Sequence, residues 1–285
     1  MNNTLDGKYQ DLLRDILANG TKKEDRTGVG TISVSGRMLK HDMSEGFPIL
    51  TTKKVSLKNI AVELEGFLKG ITSKAWYKGK GCNIWNEWSN TDLMPKGLSD
   101  EERKAWQMEC DDLGPFYGYQ WRNFNSQGYD QIQVLLDTLK TNPTSRRMVV
   151  TAWNPPQLQS MALDPCHFAF QVIVRGEYLD LVWYQRSVDS ALGMSYDLSS
   201  YGILLTLLSK QFGYKPGMLT GMFGDTHIYL NHIDQVNEQL SRSPYELPTL
   251  EVSDDFKTVL DFDSQAHIKL IGYQSHPAIK MQIAI

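Results

Sequence analysis

The sequence predicts an α+β fold, one large mixed β-sheet with packed helices, and three observations predict it. Strand-like segments at residues 31–36, 148–153, 167–174 and 178–184 are mixed with helical periodicities and do not alternate with them one for one. Residues 198–212 are nearly uniformly apolar through Ile203-Leu204-Leu205-Thr206-Leu207-Leu208, the pattern of a helix buried on all sides. No repeat, low-complexity tract or flexible linker interrupts the 285 residues, so one domain over residues 1–285 is expected.

The elements follow in order. Tyr9, Leu12, Leu13, Ile16 and Leu17 share one helical stripe that Gly20 can end. Thr31-Ile32-Ser33-Val34-Ser35-Gly36 alternates like a half-buried strand. A helix over residues 57–68 puts Leu57, Ile60, Ala61, Leu64, Phe67 and Leu68 on its apolar side, with Glu63 among them, and stops at Gly70. Residues 130–140 form a helix ended by Asn142-Pro143, and Arg175-Gly176-Glu177 turns strand 167–174 into strand 178–184. After the apolar helix, a further helix across residues 227–240 precedes short C-terminal strands. Residues 89–112, with Asp100-Glu101-Glu102-Arg103-Lys104 between polar turns, read as a surface insertion or small lobe.

Composition narrows the function classes. With 41% hydrophobic residues the chain can bury a large core. A net charge of -4 gives no global attraction to a polyanion, so long nucleic acid is not an expected partner, whereas a mononucleotide needs only a local basic cluster. Cys82, Cys110 and Cys166 are widely spaced with no Cys-x-x-Cys pair, which fits a reduced cytoplasmic protein, of a cell or of a virus-infected host. No apolar run approaches the roughly 20 residues that span a bilayer, and the polar N-terminus lacks a signal segment. His227 and His232 are not at i,i+4 spacing, so no metal is expected. Gly28-Val29-Gly30 lacks the strand-to-helix context of a dinucleotide fingerprint.

The chemistry is concentrated in Asp164-Pro165-Cys166-His167, followed by Gln185-Arg186-Ser187-Val188-Asp189 and then Asp197. A thiolate can add to an electron-poor ring, a guanidinium and a hydroxyl can hold a phosphate, and a carboxylate can read a base edge. That set points to covalent chemistry on a nucleotide.

An ordered series of further motifs carries a family resemblance. Asp25-Arg26-Thr27-Gly28-Val29-Gly30-Thr31, Gly46-Phe47-Pro48-Ile49-Leu50-Thr51-Thr52-Lys53-Lys54, Ile84-Trp85-Asn86-Glu87-Trp88 and Leu113-Gly114-Pro115-Phe116-Tyr117-Gly118 are similar to thymidylate synthase. So are Asn142-Pro143-Thr144-Ser145-Arg146-Arg147, Pro165-Cys166-His167, Gln185-Arg186-Ser187, Gly224-Asp225-Thr226-His227-Ile228-Tyr229 and the terminal Ile283-Ala284-Ile285. The resemblance runs the length of the chain. It implies the thymidylate synthase-like fold, a homodimer packed through a sheet face, and 5,10-methylenetetrahydrofolate as co-substrate.

The resemblance also implies roles. Cys166 would add to C6 of the pyrimidine, with Glu63, Tyr117 and His167 managing protons and water. Arg26, Arg186 and Ser187 would hold the phosphate, joined by Arg146 and Arg147 reaching over from the second subunit. Gln185 and Asp189 would contact the nucleotide, and His227 and Tyr229 the sugar hydroxyl; Trp85, Asn86, Trp88 and Leu163 would form the folate wall, closed by Ile285.

One position departs from the family. Where the motif ends in Pro-Phe-Asn, this chain has Ser195-Tyr196-Asp197. An asparagine amide accepts from uracil N3–H and donates to O4; an ionised aspartate faces O4 with like charge and leaves an unpaired acceptor, at roughly 1–3 kcal/mol. Cytosine presents an N4 amino donor and an N3 that a shared proton can bridge. Asp197 therefore favours dCMP over dUMP and is similar to the aspartate of deoxycytidylate hydroxymethylases, with which some bacteriophages make modified cytosine. The expected activity is dCMP hydroxymethylation. Methylation of dCMP with release of dihydrofolate, thymidylate synthesis from dUMP, and a silent nucleotide- or RNA-binding homologue are the alternatives, the last disfavoured by the presence of Cys166, Glu63 and Tyr117. Glu65, Gly66 and Val188 also differ from the family and are expected to reshape the pocket.

Overall fold

The computed structural model describes residues 3–25 and 27–283. Helix α1 (Thr4–Asn19) is capped by the Asn3 side chain and ends where the Gly20 amide closes on Ile16 O. A three-residue strand, β1 (Thr21–Lys23), pairs with β2 (Thr31–Asp42), which runs well past the predicted 31–36. Helix α2 (Leu57–Lys69) starts at the Ser56 cap and stops at Gly70, whose φ of 67° is the left-handed conformation a C-terminal glycine supplies. Short helices α3 (Lys74–Gly79), α4 (Asp100–Glu109) and α5 (Tyr117–Arg122) follow. Within the 89–112 segment, α4 carries a capping box between Ser99 and Glu102 and buries none of its residues.

Helix α6 (Gln131–Thr141) and strand β3 (Val149–Thr151) lead to the hairpin of β4 (His167–Arg175) and β5 (Tyr178–Asp189). Helix α7 (Met194–Phe212) is the buried central helix and begins a turn earlier than residue 198. Strand β6 (Lys215–Tyr229), helix α8 (Ile233–Leu240) and the small sheet of β7 (Thr249–Val252) with β8 (Ile268–Ile271) complete the chain.

The six-stranded sheet has the order β1-β2-β6-β5-β4-β3; β5 and β6 are parallel and the other pairs antiparallel. The mixed sheet matches the predicted class. The predicted helix over 227–240 is corrected: His227 and Tyr229 lie on β6, and only residues 233–240 are α-helical. β6 itself escapes the sequence reading because Pro216, Gly217, Gly221 and Gly224 punctuate it like a loop. The structure supplies the reason for two of these glycines. A Cβ on Gly221 would stand 2.4 Å from the Phe223 ring and 2.5 Å from the Trp183 ring, and one on Gly224 would meet the Arg186 carbonyl at 2.8 Å. Two aromatic rings fill the space beside Gly221, and the Arg186 backbone fills that beside Gly224.

The two faces of the sheet differ. Leu39, Trp183, Phe170 and Val150 face inward and are buried. On the other face Met38 pairs with Met222, and Val149 with Gln171, and Met38, Met222, Val149 and Ile173 are all exposed. Glu65 is buried against Lys69 and Lys80 and accepts from Ser264 N, while Gly66 leaves room for the Tyr77 ring.

Candidate active site

The register of three strands and the first turn of α7 assemble the centre. His167 on β4 lies opposite Gln185 on β5, and across the parallel pair Ser187 meets Asp225 and Asp189 meets His227. Asp197 enters from the first turn of α7. It accepts from Gln185 Nε2 at 2.8 Å through Oδ2, while Oδ1 stands 3.6 Å from His167 Nε2.

Cys166 sits at the mouth of β4. Its amide donates to the Tyr117 hydroxyl at 2.9 Å, and its carbonyl accepts from Arg186 N. Burial pushes its thiol up to about 11; the Arg186 guanidinium pulls it down and Asp197 pushes it up. The Arg186 guanidinium favours the thiolate, but burial outweighs it. Arg186 is braced by Pro165 O at 2.9 Å and Asp164 O at 2.8 Å, with its guanidinium over the Trp153 ring.

Tyr117 is the first residue of α5 and has a φ of 21°, a conformation rare for a residue with a side chain. Gly118 makes this placement possible, because a Cβ there would lie 2.3 Å from Phe67 Cα. Tyr117 stacks on His167 at 4.3 Å and on Phe67 at 5.0 Å. His167 Nδ1 bonds the Tyr201 hydroxyl at 2.9 Å, and burial pushes the imidazole down to about 3, so it is neutral.

Two carboxyls share this apolar centre. Burial, with Asp197 adding to it, raises Glu63 to about 8, and burial raises Asp197 to about 7 against the opposing Gln185 hydrogen bond. An ionised Asp197 is what the expected preference for cytosine assumes. Burial corrects that: near neutral pH the protonated and ionised forms are both populated.

The remaining predicted residues surround the centre. Asp189 Oδ1 accepts from the amides of Ala191 and Leu192, so it also ties the turn into α7. His227 Nδ1 bonds Asp225 Oδ1 at 3.0 Å, and the Tyr229 ring stands edge-on to it. Trp85 is buried edge-on to Phe116 and 6.0 Å from Tyr117; Trp88 and Leu163 are half-buried against the core. Asn86 is half-buried nearby in sequence, its carbonyl accepting from Lys74 Nζ. Such a wall suits a flat heteroaromatic ring. Arg146 and Arg147 are exposed in the turn before β3, at the far edge of the sheet. Arg26 and Ile285 lie outside the described residues.

Comparison with known proteins fits this geometry. The thymidylate synthase family model matches residues 7–285. The chain belongs to the thymidylate synthase family. A curated thymidylate synthase of Mycoplasma mobile is 45% identical over 98% of this chain and 99% of its own length. As a family member, the protein is a one-carbon transferase of nucleotide biosynthesis with 5,10-methylenetetrahydrofolate as co-substrate. Among the described residues no cluster of three or more His, Cys, Asp or Glu could hold a metal ion, and no helix is long and apolar enough to cross a membrane.

Two residues of the centre escaped the sequence reading. Tyr201 lies one helical turn after Asp197, and Trp183 two residues before Gln185 on the same strand face. The spacing was a usable signal in both cases, but each also reads as an ordinary core aromatic.

Proposed function

We propose that the protein transfers a one-carbon unit from methylenetetrahydrofolate to C5 of a pyrimidine deoxynucleoside monophosphate, and that the base is cytosine. The observation that carries the choice of base is the half-buried Asp197, hydrogen-bonded by Gln185 in the position where the family has asparagine. Ionised, it accepts from the cytosine amino group through one oxygen and opposes uracil O4.

Cys166 is the nucleophile for C6 in this reading, with Arg186 and Ser187 beside it for the phosphate. Neutral Glu63 and the Tyr117 hydroxyl supply and remove protons, and His227 and Tyr229 face the sugar. Arg26 completes the phosphate site in cis, Arg146 and Arg147 complete it from the partner subunit, and Ile285 closes the folate side. The exposed apolar sheet face around Met38, Met222, Val149 and Ile173 supports the dimer this requires.

The folate supplies the methylene and, for a methyl product, hydride. The buried aromatic wall of Trp85, Phe116 and Tyr117 and the family match favour hydride, giving 5-methyl-dCMP and dihydrofolate. Hydroxymethylation, expected from the likeness of Asp197 to the hydroxymethylases, needs water in place of hydride at the transferred carbon.

A second reading is thymidylate synthesis from dUMP. The 45% identity to a thymidylate synthase favours it, and so does the raised Asp197, because a neutral carboxyl offers uracil the same donor and acceptor as an amide. The test is incubation with methylenetetrahydrofolate and either nucleotide, with products identified by mass and dihydrofolate followed by absorbance. Turnover of dCMP supports the cytosine reading, and the mass separates methyl from hydroxymethyl. Conversion of dUMP alone overturns it.

A further inference from the structure

One buried indole supports both sides of the Asp197 carboxyl. Trp183 is fully buried on β5, and its Nε1–H donates to Gln185 Oε1 at 3.1 Å. An indole N–H can only donate, so the Gln185 amide must turn its oxygen to Trp183 and its nitrogen to Asp197. The same indole stacks on Tyr201, with centroids 5.5 Å apart and planes 14° from parallel, and the Tyr201 hydroxyl bonds His167 Nδ1. His167 in turn faces Asp197 Oδ1.

We propose that Trp183 is a positioning residue for base selection: by fixing the Gln185 amide it keeps a donor on Asp197 Oδ2 and so favours the ionised carboxyl that rejects uracil. The inference rests on the reading of Asp197 as the base reader. The groups facing Asp197 are His167 from β4, Gln185 from β5, Tyr201 from its own helix, and Glu63, Tyr117, Cys166 and Asp189 acting on the same site from α2, α5, the start of β4 and the end of β5. Among them only Gln185 donates directly to the carboxyl within the described residues. If its amide could turn over, Oε1 would face Asp197 and hold a proton between the two oxygens. A protonated carboxyl accommodates either base, so selectivity falls.

The test is kcat/KM for dCMP and dUMP across pH 6–9 in the wild type, Trp183→Phe, Gln185→Met and the double variant. Loss of one hydrogen bond of ordinary strength predicts that Trp183→Phe lowers the dCMP:dUMP ratio about five- to tenfold and moves the alkaline limit of dUMP use upward. Gln185→Met lowers the ratio similarly, and the double variant lowers it no further than either single change. An equal loss for both nucleotides, with the ratio and pH profile intact, would make Trp183 a packing residue and overturn the proposal. If Trp183→Phe does not fold, benzothienylalanine at position 183 keeps the bicyclic shape without the N–H, and an unchanged ratio there overturns it equally. Asp197→Asn, run alongside, separates the levels. A shift toward dUMP in that variant with no effect at Trp183 sinks only this inference, whereas no shift removes the cytosine reading and this inference with it.

Discussion

His167 Nε2 stands 3.6 Å from Asp197 Oδ1, yet the two do not form an ion pair. Burial holds the imidazole near 3 while Asp197 sits near 7, so the histidine has lost its proton before the aspartate gives up its own. His167 is therefore a neutral hydrogen-bonding partner from about pH 5 upward. Nitrogen chemical shifts of the labelled imidazole should show no titration between pH 5 and 9. A midpoint near 6.5 would mean that Asp197 and His167 share charge, and that the centre is more polar than its burial indicates.

As the proposed base reader, Asp197 would give a pH signature to base choice. Uracil needs the carboxyl protonated, and above pH 7 the protonated fraction falls about tenfold per pH unit. Binding of dUMP should weaken at that rate between pH 7.5 and 9, while dCMP, which the ionised form also accepts, weakens less. In Asp197→Asn the slope for dUMP should vanish and the preference should move toward dUMP by about one to two orders of magnitude. Calorimetric titration of each nucleotide across that range decides the matter, and parallel slopes for the two bases would contradict the assignment.

The same raised value sets a stability effect of known sign. A carboxyl whose folded value lies above its unfolded one contributes stability below about pH 4, and that contribution is lost as pH rises to about 7 for Asp197 and about 8 for Glu63. Removing the charge should then help at alkaline pH. Asp197→Asn is expected to be more stable than the wild type at pH 8.5 by on the order of 2 kcal/mol and about equal to it at pH 4. Denaturant midpoints at the two pH values check this. A variant less stable at pH 8.5 would show that the ionised form is better solvated than its burial implies.

Much of this architecture was legible because local signals and burial agreed. Helix α2 runs from the Ser56 cap to the left-handed Gly70, very nearly the span its apolar stripe predicts, and Glu63 appears on it as a polar interruption. Cys166, Arg186 and Asp197 stood out as residue types suited to nucleotide chemistry. Strand β6 was hidden because its glycines serve tertiary contacts with Trp183, Phe223 and Arg186 that no local pattern displays, and hiding it put His227 and Tyr229 on the wrong kind of element. The protonation of Asp197 was hidden for a related reason: charge is a property of the pocket, and the pocket is made by α2, α5 and α7 together.

Cys166 is poised but not ionised in the free protein. With its thiol near 11, alkylation by iodoacetamide should be slow at pH 7 and accelerate about tenfold per pH unit up to at least pH 10. Cys166→Ala should abolish turnover and leave nucleotide affinity within about threefold, since the phosphate and base contacts remain. Turnover persisting in that variant would rule out the covalent route. Fast alkylation at pH 7 would instead mean that Arg186 controls the thiol more strongly than burial does.

The exposed turn before β3 offers the last test, because it separates a shared site from a self-contained one. Arg146 and Arg147 are exposed at the sheet edge, beside the apolar face that carries Val149 and Ile173, and Gln171 Nε2 bonds the Arg146 carbonyl. If they serve the partner's phosphate site, Arg147→Ala should raise the nucleotide KM at least tenfold with little change in thermal stability. Mixing inactive Cys166→Ala with Arg147→Ala subunits, followed by dissociation and reassociation, should then restore turnover with wild-type KM. The restored site would combine the intact Cys166 of one subunit with the intact Arg147 of the other. Mixtures that never exceed the activity of the Arg147→Ala protein alone would place the whole phosphate site within a single chain.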